Sequence, residues 1–374
     1  MKTISHRYRL QITFLLTISF VLFSFSNSFA QAQTTPRKTV VDFNGDGKTD
    51  FALMRPSANA PGAQYTWWIQ NNGANPNDFT AMPLGLRAID VPVPADYDGD
   101  GKTDIAMFRY QNTGTGGTNQ DGGTWYILES STNKFRIEKF GQALDNATVV
   151  DDYDGDGKAD LAVFRAPTVG QGPGQAYFYY KGTANNPQGN ITYVPWGMRY
   201  GTQSDQVDDP YTGDFDGDGK TDFAVQRRSD ISNTSSNQPA VFYILTATGN
   251  VSYEYFGLAS DRVVPGDYDG DGKTDICVTR DFNISQNPPL PIKWFIRYSS
   301  GQADDRIEFG TGSNFNFSQG DYDGDGKTDI ALFVASRGEF WYRSSADSNN
   351  AVAYRWGNAG TIPADLPVAG YNNR

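Results

Sequence analysis

The stretch "DYDGDGKTD" is written at Asp96–Asp104, and again at Asp267–Asp275 and Asp321–Asp329. Close variants start at Asp42 ("DFNGDGKTD"), Asp152 ("DYDGDGKAD") and Asp214 ("DFDGDGKTD"). The six copies are separated by 54, 56, 62, 53 and 54 residues. A period near 55 along most of a chain signals an array of equivalent supersecondary units.

Each unit reads alike on either side of its loop. An apolar lead-in such as "VPVPA" (91–95) enters it, and a strand pattern such as "DIAMFR" (104–109) leaves it. A Gly-, Pro- and Asn-rich connection then leads to an aromatic strand, for example "TWYILE" (124–129) or "VFYILT" (241–246). A fourth strand ends in Phe-Gly or Trp-Gly at Gly141, Gly197, Gly257, Gly310 and Gly357, with Leu84-Gly85 as the first unit's version. Four short strands per unit predict an all-β fold, a β-propeller of four-stranded blades, because ring packing buries sheet faces that a lone sheet would expose. The third residue of the strand after the loop is Ala52, Ala106, Ala162, Ala224, Cys277 or Ala331, which suits close sheet-on-sheet approach. Cys277 therefore reads as a buried stand-in for Ala rather than a reactive thiol. Six full units predict six blades. The tail "IPADLPVAGYNNR" (362–374) resembles one more lead-in, with Gly370 and Asn372 where Asp96 and Asp98 stand. It reads as a strand closing the ring near Thr39–Val41; a seventh blade would need strands the chain does not supply.

The loop itself has carboxylates at positions 1, 3, 5 and 9 and glycines at 4 and 6. Such a set, with the backbone carbonyl at position 7, predicts a site for calcium, which prefers six to eight hard oxygens. The glycines allow the tight turns, and without a cation the carboxylates would repel one another. The expected ligands are Asp42, Asn44, Asp46, Asp50 and the Lys48 carbonyl in the first loop, and Asp96, Asp98, Asp100, Asp104 and the Lys102 carbonyl in the second. The third supplies Asp152, Asp154, Asp156, Asp160 and Lys158; the fourth Asp214, Asp216, Asp218, Asp222 and Lys220. The fifth supplies Asp267, Asp269, Asp271, Asp275 and Lys273; the sixth Asp321, Asp323, Asp325, Asp329 and Lys327. A single copy would read as an ion-free acidic turn; six in one register read as about six calcium sites. Asn44 leaves the first site one charge short. Each loop carries its own ligands, so the sites are expected to act nearly independently. Position 12 is apolar (Leu53, Met107, Val163, Val225, Val278, Leu332), which excludes an EF-hand or dockerin loop with its acidic residue there.

The N-terminus reads as a secretory leader, residues 1–30. Lys2, Arg7 and Arg9 precede the apolar run Leu10–Phe25, and Ser28-Phe29-Ala30 fits a cleavage site. That run is short for a membrane span. A single domain, 31–374, with a secreted, periplasmic or cell-surface location and no stable membrane insertion follows. Cleavage would remove the only histidine, His6, and take the formal charge from -12 to -15. That leaves no histidine for a Ser-His-Asp triad or a zinc site, and one cysteine gives no internal disulfide framework. The acidity excludes a nucleic-acid partner. The loops hold 23 of the 43 acidic residues, so six divalent ions would bring -15 to about -3.

At the loops and the Phe-Gly endings the chain resembles the FG-GAP repeat family, also described as VCBS repeats, of bacterial secreted proteins and integrin α-chain heads. The resemblance covers about residues 38–370, and "PVPADYDGDGKTDIAMFR" (92–109) looks like the bacterial unit. It implies a calcium-binding propeller. It does not imply one function, since such propellers serve in adhesion, in carbohydrate binding and within larger enzymes.

Strand alternation puts the acidic loops on one face and the variable connections 110–123, 166–175, 228–240 and 281–291 on the other. The opposite face is therefore the expected ligand surface, for a glycan or a protein. Segment 197–213, with Arg199, Tyr200, Asp208, Asp209 and Tyr211, is its first candidate. Arg55, Arg109, Arg165, Arg227 and Arg280 recur there, with Val334 breaking the series. They read as repeated ion pairs or carbonyl contacts between blades rather than an anion site. The expected function is a non-catalytic binding or adhesion module. The alternative is a polysaccharide lyase or hydrolase on the same scaffold, although no carboxylate pair outside the loops stands out.

Overall fold

The computed structural model describes residues 41–73, 75, 77–109, 122–228, 237–280, 290–311, 315–347, 350–360 and 364–369. The leader reading and the alignment of Gly370 and Asn372 with loop positions lie outside these residues, as do most of connections 110–123, 228–240 and 281–291. The remainder is a six-bladed β-propeller of antiparallel sheets.

The second blade shows the pattern: Asp90–Pro92, Ile105–Arg109, Gly122–Glu129 and Lys134–Gln142 lie side by side in that order. The loop Asp96–Asp104 joins the first strand to the second. The second strands are buried almost throughout, with Leu53, Met54, Ala106, Met107, Phe108, Val163, Ala224, Val225, Cys277, Val278, Ala331 and Phe333 at 0–1% exposure. The small residue expected there is thus confirmed, and burial pushes the Cys277 thiol well above its usual range. The fourth strands are exposed or half-buried nearly throughout and form the rim.

Two blades depart from this pattern. In the third, the first strand shrinks to one bridge, Asn146 to Phe164, beside three full strands. In the first, the first strand comes from the other end of the chain: Leu366–Pro367 pairs with Met54 and Leu53. The ring is closed by the C-terminal segment, as expected, but against strand Phe51–Pro56. Val41 only joins the same apolar cluster as Val368 and Ala369. Val368 donates to the Ala52 carbonyl as Val93 does to Ala106, one residue off the alignment read from sequence.

The Phe-Gly endings have a packing reason. Gly85, Gly141, Gly197, Gly257 and Gly310 all have φ between +68° and +97°, a region that costs an L-residue about 1 kcal/mol or more. A Cβ on them would also strike Met107, Val163, Val225, Val278 and Leu332 in turn, at 2.1–3.2 Å. These are the position-12 residues of the next blade's loop. The residue that rules out an EF-hand is therefore the knob that fits the previous blade's glycine.

Candidate metal centres

Each loop is wound around the aspartate at its first position. One Asp96 oxygen accepts the Gly99 N–H at 2.6 Å and the other accepts Gly101 N–H at 2.9 Å. The other five loops repeat the arrangement, for example Asp214 with Gly217 and Gly219. The position-5 carboxylate accepts the N–H at position 7, as Asp100 does from Lys102 at 2.9 Å. Loop glycines at position 4 have φ of +78° to +82°.

In five loops three carboxylates offer oxygens within 4.8 Å of one another. The groups are Asp96, Asp98, Asp104; Asp152, Asp154, Asp160; Asp214, Asp216, Asp218; Asp267, Asp269, Asp271; and Asp321, Asp323, Asp325. Among the described residues the first loop forms no such group, in keeping with Asn44, whose amide donates to Asp46 at 3.0 Å. The donor set fits a hard divalent cation. In the third loop Asp154 Oδ1 is buried without a hydrogen-bond partner, an acceptor that folding leaves costly unless a cation takes it.

The ninth position also has a structural part. Asp50, Asp104, Asp160, Asp222, Asp275 and Asp329 are all 0% exposed. Each accepts one N–H from position 2 of its own loop and one from the hairpin joining strands three and four, as Asp104 does from Tyr97 at 2.9 Å and Ser130 at 2.7 Å. Asp329 does the same with Tyr322 and Ser345. Burial, reinforced by neighbouring carboxylates, pushes Asp50, Asp160 and Asp329 up to about 7 and Asp104 and Asp222 up to about 6, against the pull of these N–H bonds. A cation between them would reverse that pressure.

The hairpins also bring hydroxyls that sequence reasoning missed. Ser131 donates to Asp98 at 2.6 Å, Thr183 to Asp156 at 2.6 Å and Ser300 to Asp269 at 2.5 Å. Ser344 donates to Asp323. The only available signal is a Ser or Thr just after the aromatic strand, at a spacing that changes with hairpin length.

The six loops form one closed chain of contacts. Thr103 N–H donates to the Asp42 carbonyl, Ala159 to Asp96, Thr221 to Asp152, Thr274 to Asp214, Thr328 to Asp267 and Thr49 to Asp321, all at 2.6–2.8 Å. The hydroxyls of Thr103 and Thr328 accept the N–H of Asp42 and Asp267 in return. The Lys102, Lys158, Lys220, Lys273, Lys327 and Lys48 stems lie over Gly45, Gly99, Gly155, Gly217, Gly270 and Gly324 of the preceding loop. Each carboxylate group still comes from a single loop, as expected; what the sequence did not show is that position 8 of each loop contacts the backbone of the first-position aspartate of its neighbour.

On the opposite face the arginine series is resolved as ion pairs. Arg55, Arg109, Arg165, Arg227 and Arg280 grip Asp365, Asp90, Asp145, Asp208 and Asp261 through Nε and Nη2, at 2.5–2.8 Å. Each guanidinium also lies 4.5–5.1 Å from an aromatic ring of the third strand. The pair lies within one blade rather than between two. Its aspartate reaches the previous blade by accepting a backbone N–H, from Leu86, Gln142, Met198, Leu258 or Asn358 at 2.7–2.8 Å. In the sixth blade Val334 faces Phe315, so both members are replaced together.

Segment 197–213 does not converge on a site. Arg199 is 5% exposed and donates to the Pro167 and Gln203 carbonyls. Tyr211 packs against Phe242, and Asp208 belongs to Arg227. Tyr200 donates to the Asp205 carbonyl beneath Arg228.

Comparison with known proteins follows the same lines. No curated protein matches the chain. Among solved structures, a streptogramin B lyase is similar at 10% identity over 83% of this chain and 87% of that one, with a TM-score of 0.40. An exotype rhamnogalacturonan lyase is similar at 13% identity over 76% of this chain and 61% of its own, with a TM-score of 0.33. Likenesses this distant bear on neither substrate nor chemistry. The model of the FG-GAP-like repeat matches residues 42–107, 152–225 and 267–332, together more than half of the chain. With six acidic loops in register on six blades, the chain belongs to the FG-GAP-like repeat family.

Proposed function

We propose that this chain is an exported, calcium-stabilised propeller that acts as a non-catalytic binding or adhesion module for a glycan or protein ligand. The observation that carries the calcium half is the convergence of three carboxylates within 4.8 Å in five successive loops. The orphaned Asp154 oxygen supports it. Calcium suits the site better than a transition metal because every side-chain donor is a hard oxygen. The residues at stake are the loop aspartates with Asn44, and the lysine carbonyls at position 7.

The binding half rests on how the other charges are used. Among the described residues, the buried carboxylates outside the loops, Asp90, Asp145, Asp208, Asp261 and Asp365, are each engaged by an arginine. A general acid or base needs a carboxyl free to exchange a proton with substrate, and these are committed. The leader pattern supports export, and N-terminal sequencing of secreted protein should begin at Gln31.

Metal analysis of the purified chain, equilibrated with calcium and freed of loosely held ions, tests this reading. About six ions per chain are expected. The Asp98→Ala variant should lose about one while staying folded. A chain that retains no calcium sinks the reading. Glycan and protein arrays probed with and without EGTA test the binding half.

A further inference from the structure

What repeats in this ring serves architecture, so a unique site belongs where one unit departs from the others. The third blade is one such unit, with its first strand reduced to the Asn146–Phe164 bridge. The hairpin between its third and fourth strands spans residues 182–191, against 71–79 in the first blade, 130–133 in the second and 246–250 in the fourth. Beneath it, at the rim between the second and third blades, lies a cavity of about 140 Å³ lined by Arg136, Glu138, Lys181 and the hairpin residues Gly182, Thr183 and Asn186.

Lys181, which lines this cavity, shares a strand face with a cluster of tyrosines, and we read the cavity and the strand faces flanking it as one groove between the second and third blades. Tyr177, Tyr179 and Lys181 alternate along one face of the third strand, and Tyr193 stands opposite Tyr179 on the fourth. The three tyrosine rings form one cluster, with centroids 5.9–6.3 Å apart, and Tyr193 is 65% exposed. The second blade supplies the polar wall. Glu138 accepts from Arg136 at 3.0 Å and from Lys181, across the groove, at 2.6 Å. Arg136 Nε lies 3.2 Å from Glu129 yet makes no hydrogen bond. Two cations thus meet two anions. In a chain of net charge -12 this local balance favours an uncharged polar ligand over an acidic or basic one.

We propose that this groove binds a neutral oligosaccharide. A sugar ring offers one apolar face for the exposed Tyr193 ring to stack on, with Tyr177 edge-on beside it. Its hydroxyls can both donate and accept, which matches Arg136 and Glu138 on the second blade and Lys181 beside the rings. The neighbouring groove lacks this pairing: Tyr253 and Tyr255 are exposed on the fourth blade, but Val194 and Trp196 face that side. The proposal rests on the binding-module reading and gives that module a ligand class and a place.

The test is affinity electrophoresis of the full chain, in calcium, through native gels containing xylan, glucomannan, dextran or polygalacturonate. At least one neutral polysaccharide should retard the chain. Tyr193→Ala should weaken that retardation at least ten-fold, Lys181→Met should also weaken it, and Tyr253→Ala should leave it unchanged, with all melting temperatures alike. Retardation that persists in Tyr193→Ala, or that Tyr253→Ala abolishes, overturns the groove and leaves the binding-module reading standing. Retardation by polygalacturonate alone, or by none of the four, also overturns the groove, while the calcium content and the protein arrays still judge the module.

Discussion

Asp261 illustrates how one side chain can hold two blades. Its carboxylate grips Arg280 within the fifth blade and accepts the Leu258 N–H from the fourth. The carboxylate is wholly buried, while the arginine keeps 24% of its side chain exposed. Asp261→Ala should therefore cost roughly 2 kcal/mol, less than a fully buried pair would, because water can partly reclaim the guanidinium. The double change Asp261→Phe with Arg280→Val copies the Phe315–Val334 pairing of the sixth blade, and it should recover much of that loss. Urea unfolding of the three proteins checks this; a double variant weaker than the single one would contradict it. The ninth-position aspartates teach the same lesson. Asp104→Asn would place an amide N–H against the Tyr97 or Ser130 N–H, and should destabilise the chain by about 2 kcal/mol even in EGTA. Equal melting of wild type and variant in EGTA would mean that Asp104 serves the ion alone.

At the scale of the element, the first strand of each blade is the variable one, and ring closure depends on it. A chain ending at Gly360 loses the Leu366–Pro367 pairing, the Asp365 partner of Arg55 and the buried Val368 and Ala369. Together these losses should lower stability by on the order of 5 kcal/mol. A truncated chain that melts with the full one would show that the ring closes elsewhere. Much of this was legible in the sequence. Six loops in register, an Ala or Cys two residues after each and an aromatic strand after that fix the blade count, the strand order and the buried face. The arginine partners were less legible. Asp90, Asp145, Asp208 and Asp261 precede their arginines by 19 or 20 residues, but Arg55 meets its partner 310 residues away. The hydroxyls on the loops were hidden for a related reason. Ser131, Thr183 and Ser300 reach Asp98, Asp156 and Asp269 from hairpins of unequal length. Register read along one strand says nothing about what a neighbouring hairpin drops onto it. In segment 197–213 the sequence shows aromatic and charged residues at a surface connection, but not that Arg199 and Tyr211 turn inward to hold the connection itself.

On the scale of the whole molecule the acidic loops behave as one ring, because each first-position aspartate is held by the eighth residue of the next loop. Ion binding in one loop should therefore depend on its neighbour. Thr328→Val removes only the hydroxyl that accepts the Asp267 N–H. One such bond is worth about 1 kcal/mol, so calcium affinity in the fifth loop should fall about five-fold although Thr328 lies in the sixth. A calorimetric titration that superimposes on the wild-type curve would restore the independent sites expected from sequence. The ring also explains how a chain with one cysteine and no disulfide holds six blades in a circle: cations would offset the repulsion among carboxylates that folding forces together. The most direct test of that claim is the melting temperature of the full chain, measured over a series of calcium concentrations and in EGTA. Ions bound only by the folded state add about 2.7 kcal/mol per site at a hundred times Kd, so the predicted result is a melting temperature that climbs steeply with calcium and collapses in EGTA. A melting curve in EGTA that coincides with the one in saturating calcium would contradict the account.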